Sequence, residues 1–171
     1  SVSPGRTRAL AIYNGLTKQQ EQFTTLEPHL VKMYTCGLTV NNLMHIGHAR
    51  CYVFWDVVER YLRYLGYEAK HVSNVTDISV DDRILRRLRE TGESFQQLVI
   101  RHTRDYFDDR RGLGIADPLL YALATQHIHQ MIELVQRLLD RGNAYLADDG
   151  VYFRLSSFPD YGRLSGVRPE A

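Results

Sequence analysis

A chain of 171 residues is long enough for one ordinary domain, and a net charge of +1 shows no overall basic excess, so any nucleic-acid contact must rest on local patches. Two cysteines, Cys36 and Cys51, exclude a disulfide framework and fit a reducing, cytosolic setting. No apolar run is long enough to span a membrane, and Ser1 to Leu10 lacks the apolar core of a signal peptide and reads as a flexible lead-in.

Ala9 to Tyr13 is a short apolar segment, Asn14-Gly15 is a turn pair, and Thr17 to Phe23 is polar up to its last residue. Val31 to Cys36 alternates and is β-prone, so a strand is expected there. A helix is expected from about Gly47 to Leu65, with Ala49, Val53, Val57, Tyr61 and Leu65 as one apolar stripe and Gly66 as its C-cap. Phe54 and Trp55 lie off that stripe and suggest a second buried face. Ala69 to Val75 reads as a second strand. Strand, helix and strand at these lengths predict two adjacent parallel strands, with Cys36-Gly37 and Thr76-Asp77 at the same carboxyl edge.

Asp81 or Asp82 can cap a short basic helix from Arg83 to Arg89. Ser94 opens a long helix with Phe95, Leu98, Val99, His102 and Tyr106 in register. A linker, Gly112 to Asp117, and Pro118 follow. The next helix runs from about Thr125 to Arg141 and is capped by Gly142. Ala144 to Ala147 and Val151 to Leu155 flank Asp148-Asp149-Gly150, a hairpin signal. There is no internal repeat.

The stretch Met33 to Arg50 carries the chemistry. A strand passes through Gly37 and a polar loop into a helix start, the usual α/β way to hold a phosphate. Two imidazoles, His45 and His48, flank Ile46-Gly47 at that start. Imidazole can donate to phosphate oxygens, and a glycine beside it lets a flat base approach the backbone. Other histidines carry no such pattern: His29, His71 and His102 stand alone, and His127 and His129 read as a solvated face. Cys51 is expected to pack in the core. The run Arg83, Arg86, Arg87 and Arg89 reads first as a solvated face and second as a phosphate-tracking patch.

The His-Ile-Gly-His run at His45 to His48 resembles the HIGH signature of class I aminoacyl-tRNA synthetases. Cys36-Gly37-x-Thr39-Val40 is similar to the cysteinyl-tRNA synthetase version of that family in particular. Asn74-Val75-Thr76-Asp77-Ile78, Gly92-Glu93-Ser94-Phe95 and Ser157-Phe158-Pro159-Asp160-Tyr161-Gly162 fit the same family, so the resemblance covers almost the whole chain. The sequence departs from the pattern in places. Thr76 to Arg83 is two residues longer than the family's Thr-Asp-Ile-Asp-Asp-Lys and ends in arginine. Leu38 stands where proline is common, Asn41-Asn42 where Tyr-Asp is common, and the KMSKS lysine loop is absent.

The resemblance implies an α/β fold, the first half of the Rossmann-like class I nucleotide-binding fold, followed by an α+β insertion. Residues 1–30 would be an N-terminal arm and edge segment, 31–115 the half-domain, and 116–171 the start of the connective-peptide-like insertion. The helices and hairpin toward the C-terminus are not expected to continue the parallel sheet. The reaction implied is activation of L-cysteine by ATP, with Mg²⁺, and transfer to tRNA(Cys). His45 and His48 would be catalytic, and would bind ATP together with Gly47. Gly37, Thr39, Thr76 and Asp77 would hold the amino acid. Cys36 would be one of four ligands of a substrate-selecting Zn²⁺, the others lying downstream of Ala171 together with the missing C-terminal half. Two rivals stand beside this reading: a mycothiol-pathway cysteine ligase, and an inactive truncated paralogue acting as a binding module.

Overall fold

The structure, a computed structural model, describes residues 10–78 and 82–167. The lead-in before Leu10, the candidate cap Asp81 and the inserted positions Ser79 and Val80 lie outside the described residues. The chain divides into two compact units, residues 25–127 and residues 10–24 with 128–167, each described by itself.

The first unit is built on three parallel strands. β3 (Leu30–Thr35) pairs with β4 (Glu68–Val75) from Leu30 opposite Glu68 to Thr35 opposite Ser73. This is the predicted parallel pair. β4 alternates strictly, burying Ala69, His71, Ser73 and Val75 on one face. Its other neighbour is β5 (Leu120–Leu123), also parallel, from Val72 opposite Leu120 to Val75 opposite Leu123. The sequence reading had no strand between its last two helices, and the structure corrects it. The sheet continues through Leu123, because a segment reached after Pro118 lies half-buried along β4.

Helix α1 (Ile46–Tyr64) joins β3 to β4. Its buried residues are Ala49, Tyr52, Glu59 and Leu62. The predicted stripe fails beyond Ala49: Val53, Val57 and Tyr61 are exposed, as is Phe54, while Trp55 is half-buried against Phe54. Cys51 is exposed as well, not packed in the core. The cause is a polar contact inside the interface. Glu59 is 6% exposed, yet its Oε2 meets His71 Nδ1 on β4 at 2.8 Å. His71 Nε2 continues to Thr35 Oγ1 on β3 at 2.8 Å. Glu59 Oε1 is held by Arg63, which also donates to the Ala69 carbonyl. A buried carboxylate with these partners can occupy a core face. Breaking such a pair by removing one partner costs about 3–5 kcal/mol.

Helix α2 (Asp82–Thr91) buries Ile84 and exposes Arg86 and Arg89. Helix α3 (Phe95–Gly112) starts at Ser94, whose Oγ accepts the Gln97 amide at 3.2 Å while Gln97 Oε1 accepts the Ser94 amide at 3.0 Å. Leu98, His102 and Tyr106 are buried as expected, and Arg110 extends that stripe by one more turn. The core of this unit is Leu38, Val40, Tyr52, Val75, Tyr106 and Ile115. Complete burial of side chains such as Leu98 and Val75, both 0% exposed, stabilises by roughly 1.5–3 kcal/mol each.

In the second unit, β1 (Ala11–Asn14) and β2 (Gln19–Gln22) form an antiparallel hairpin around the Asn14-Gly15 turn. Helix α4 (Ile128–Asp140) starts later than the sequence suggested, because Ala124–His127 form a 3-10 turn. Gly142, at φ 71°, ends it. β6 (Ala144–Ala147) and β7 (Gly150–Phe153) make the predicted hairpin, with Asp148-Asp149 as its loop.

Candidate functional site

β3 ends at Thr35, and the backbone beyond it stays bound to β4. Gly37 N–H donates to Asn74 Oδ1 at 2.8 Å, Thr76 N–H donates to the Leu38 carbonyl at 3.0 Å, and Val40 N–H donates to the Thr76 carbonyl at 3.1 Å. Thr39 and Thr76 face each other as a parallel bridge. Gly37 admits no side chain here, since a Cβ would sit 1.6 Å from the Asn74 carbonyl oxygen. The structure therefore brings Cys36, Gly37, Thr39, Thr76 and Asp77 to one edge of the sheet. Asn74, to which the sequence gave no separate role, organises that edge. Its Oδ1 also accepts from Tyr34 Oη at 2.9 Å, and its Nδ2 donates to Thr76 Oγ1 at 3.2 Å.

Asp77 is 7% exposed, and both its oxygens are engaged: Oδ1 accepts the Thr125 amide at 2.9 Å and Oδ2 accepts the Thr125 hydroxyl at 2.5 Å. A carboxylate oxygen has two lone pairs, so each can accept a further donor. A pocket of about 630 Å³ opens beside it, lined mainly by Ile78, Phe95, Val99, Ile100 and Leu123.

From Val40 the chain turns into α1, and His45 is its N-cap with extended backbone, φ −105° and ψ 169°. Its Nδ1 accepts the Gly47 amide at 3.1 Å. The His45 amide in turn donates to His48 Nδ1 at 3.3 Å. Two imidazoles thus do the work that Ser and Glu do in an ordinary capping box. An accepting Nδ1 carries no hydrogen, so in the neutral ring the hydrogen sits on Nε2. Both rings are fixed as donors at their outer nitrogens, at the positive end of a helix 19 residues long. The rings lie 3.8 Å apart, centroid to centroid. His48 is held below the ordinary imidazole value, first by burial and then by the neighbouring His45, which favours this neutral donor form. Gly47 makes room for the arrangement: a Cβ there would come within 2.9 Å of His45 Cε1.

Behind His48 stands Tyr52, 5% exposed, its ring 16° from parallel to the imidazole at 6.5 Å. Burial raises the Tyr52 hydroxyl, with Tyr106 the next contributor. The guanidinium of Arg110 lies 5.5 Å from the centroids of Tyr52 and Tyr121 and 5.6 Å from that of Tyr106. Desolvating an ion costs several kcal/mol, and a desolvated cation–π contact returns about 2 kcal/mol, so three faces offset much of it. Sequence reasoning missed this cage, because a basic residue in the last turn of a helix ordinarily points to water.

Cys36 is exposed, its thiol 3.6 Å from the Gly37 carbonyl. Zinc needs three or four protein ligands, and among the described residues no group of three His, Cys, Asp or Glu could hold a metal. Cys36 is thus at most one donor toward such a site. Of the remaining histidines, His71 and His102 are buried, His127 is half-buried with its Nδ1 at the Leu123 carbonyl, and His129 is solvated beside Glu133. Among the described residues no helix is long and apolar enough to cross a membrane.

A fold of parallel strands with paired imidazoles at the first helix start defines a class I synthetase catalytic domain of Rossmann-like α/β type. The chain belongs to that family, matching the class I (C) tRNA synthetase catalytic domain over residues 22–171. Among its relatives, a cysteine–tRNA ligase of Tolumonas auensis is 51% identical over 94% of this chain and 35% of its own length. One of Marinobacter nauticus is 50% identical and one of Alkalilimnicola ehrlichii 48% identical, over the same shares. The chain therefore spans about a third of the length of the curated relatives it matches.

Proposed function

We propose that this chain supplies the ATP- and cysteine-facing half of a cysteine–tRNA ligase, which joins L-cysteine to ATP as an adenylate and passes it to tRNA(Cys) in the cytoplasm. The observation that carries the reading is the double imidazole cap. His45 and His48 each commit Nδ1 to the backbone and keep an Nε2–H for the α-phosphate, where charge develops as pyrophosphate leaves. Gly47 leaves a surface without Cβ for the adenine. Gly37 and Thr39 face Thr76 and Asp77 across the strand ends, where the amino acid would lie. The Asp77 carboxylate keeps lone pairs for a substrate ammonium, and Thr125 holds its orientation.

Cys36 is the residue of this chain that would ligate Zn²⁺; bound zinc would select a thiolate over the hydroxyl of serine. Mg²⁺ would arrive with ATP. The other zinc ligands and the lysine loop would come from outside these residues. The connective-peptide-like insertion, expected from residue 116, is read as opening after β5, since β5 still pairs with β4. The names of the relatives favour this function over the sugar ligase and the inert binding module.

The test is cysteine-dependent ATP–pyrophosphate exchange by the polypeptide as its native host makes it. His45→Ala and His48→Ala should each slow the exchange by about 10²–10³-fold, the scale for one preorganised donor. Exchange at the parent rate in both variants would overturn the catalytic assignment.

A further inference from the structure

Arg110 sits in the last turn of α3, and it is 4% exposed. Its Nη2 donates to the Ala116 carbonyl at 2.9 Å, Nη1 reaches the Tyr106 hydroxyl at 3.5 Å, and Nε has no hydrogen-bond partner among the described residues. Its guanidinium faces the rings of tyrosines from three elements: Tyr52 on α1, Tyr106 on α3 and Tyr121 on β5. The contact works both ways. The rings hold the cation, and the cation, tied to the Ala116 carbonyl, holds the rings. Tyr52 lies one helical turn beyond His48, with its ring nearly parallel to the imidazole.

We propose that Arg110 is a positioning residue for His48, acting through Tyr52: the guanidinium fixes the tyrosine ring, and the ring fixes the plane of the imidazole and shields it from water. Arg110 is too deeply buried to meet a substrate, so its effect passes through the ring. The catalytic meaning of this support rests on the function proposed above, whereas the support itself does not. The groups facing the pair are His45 beside His48, with Cys36, Cys51, Tyr106 and Arg110 around Tyr52.

Burial is the first cause of the lowered His48 value, so loosening Tyr52 should release it. The experiment is an NMR titration of the His48 ring in the 171-residue chain, comparing the parent, Arg110→Met and a control, Leu62→Ala, which opens the core further along α1. In Arg110→Met the His48 midpoint should rise by ~0.3 pH unit or more, and in the control it should stay. An unchanged midpoint in a folded Arg110→Met protein, or an equal rise in the control, would overturn the proposal. If Arg110→Met does not fold, Arg110→Lys decides, because it keeps the cation and loses the planar fork to Ala116. A rise supports the proposal, and the parent midpoint overturns it. No turnover is measured, so this result and the pyrophosphate exchange can fail independently.

Discussion

His45 accepts the amide of Gly47 at 3.1 Å, and the Cβ that Gly47 lacks would fall 2.9 Å from the same ring. The two residues are therefore one device: the glycine is small so that the histidine can fold over it. Gly47→Ala should push the ring outward and cost a cap worth about 1 kcal/mol. Alanine returns up to ~1 kcal/mol of helix propensity. Stability in urea should then change little, while the His45 Nδ1 resonance loses its hydrogen-bonded position. Retention of that resonance would show that the ring tolerates the methyl group.

Gly37 gives the opposite case. A Cβ there would meet backbone, 1.6 Å from the Asn74 carbonyl oxygen and 2.8 Å from its carbon, and no side chain can swing aside. Gly37→Ala must shift β3 against β4 and break the Gly37–Asn74 hydrogen bond. The expected loss is about 3 kcal/mol, at the upper end of overpacking costs, read as a lower urea midpoint. A loss below about 1 kcal/mol would mean that the turn has another conformation available.

His48 should give stability a pH dependence whose sign follows from its lowered value. Its folded value lies below the unfolded 6.5, so the unfolded chain binds the proton first. The contribution is fully present above pH 6.5 and is lost as pH falls through the folded value. Protonation would also put a hydrogen on the Nδ1 that caps the His45 amide. Melting temperature should fall between pH 7 and pH 5, and less so in His48→Gln. A His48 titration midpoint at or above 6.5 would contradict this.

Metal content follows from the donor set. With Cys36 as a single candidate ligand, the 171-residue chain should retain well under one zinc after dialysis. One zinc per chain, lost on Cys36→Ser, would show that further ligands are already present.

Much of this was legible in the sequence, and the exceptions share a physical cause. The parallel pair, the α1 start, the Ser94 cap and the β6–β7 turn each follow from local chemistry, which neighbouring residues display. Glu59 and Arg110 do not, because the burial of Glu59 depends on His71 from β4, and that of Arg110 on tyrosines brought in from α1 and β5 beside the one on its own helix. Neither belongs to a stripe that the sequence displays, so the α1 stripe read from it runs through Val53 and Val57 instead of Glu59. Asn74 looked like one residue of a motif, yet its side chain binds the backbone of Gly37, 37 positions earlier. β5 was missed because one exposed and three half-buried residues after a proline carry no period of their own.

The chain has a single tryptophan, and it stands half-buried on α1, the helix that carries His45 and His48 at its start. Selective excitation of Trp55 therefore reports on the unit of residues 25–127 alone, whereas far-ultraviolet circular dichroism sums over both units. Coincident denaturation curves from the two signals would mark one cooperative transition. A fluorescence change separated from the dichroism change would show the units melting independently. Native emission that shifts on adding ATP would make the same indole an optical gauge of nucleotide binding, with no label attached.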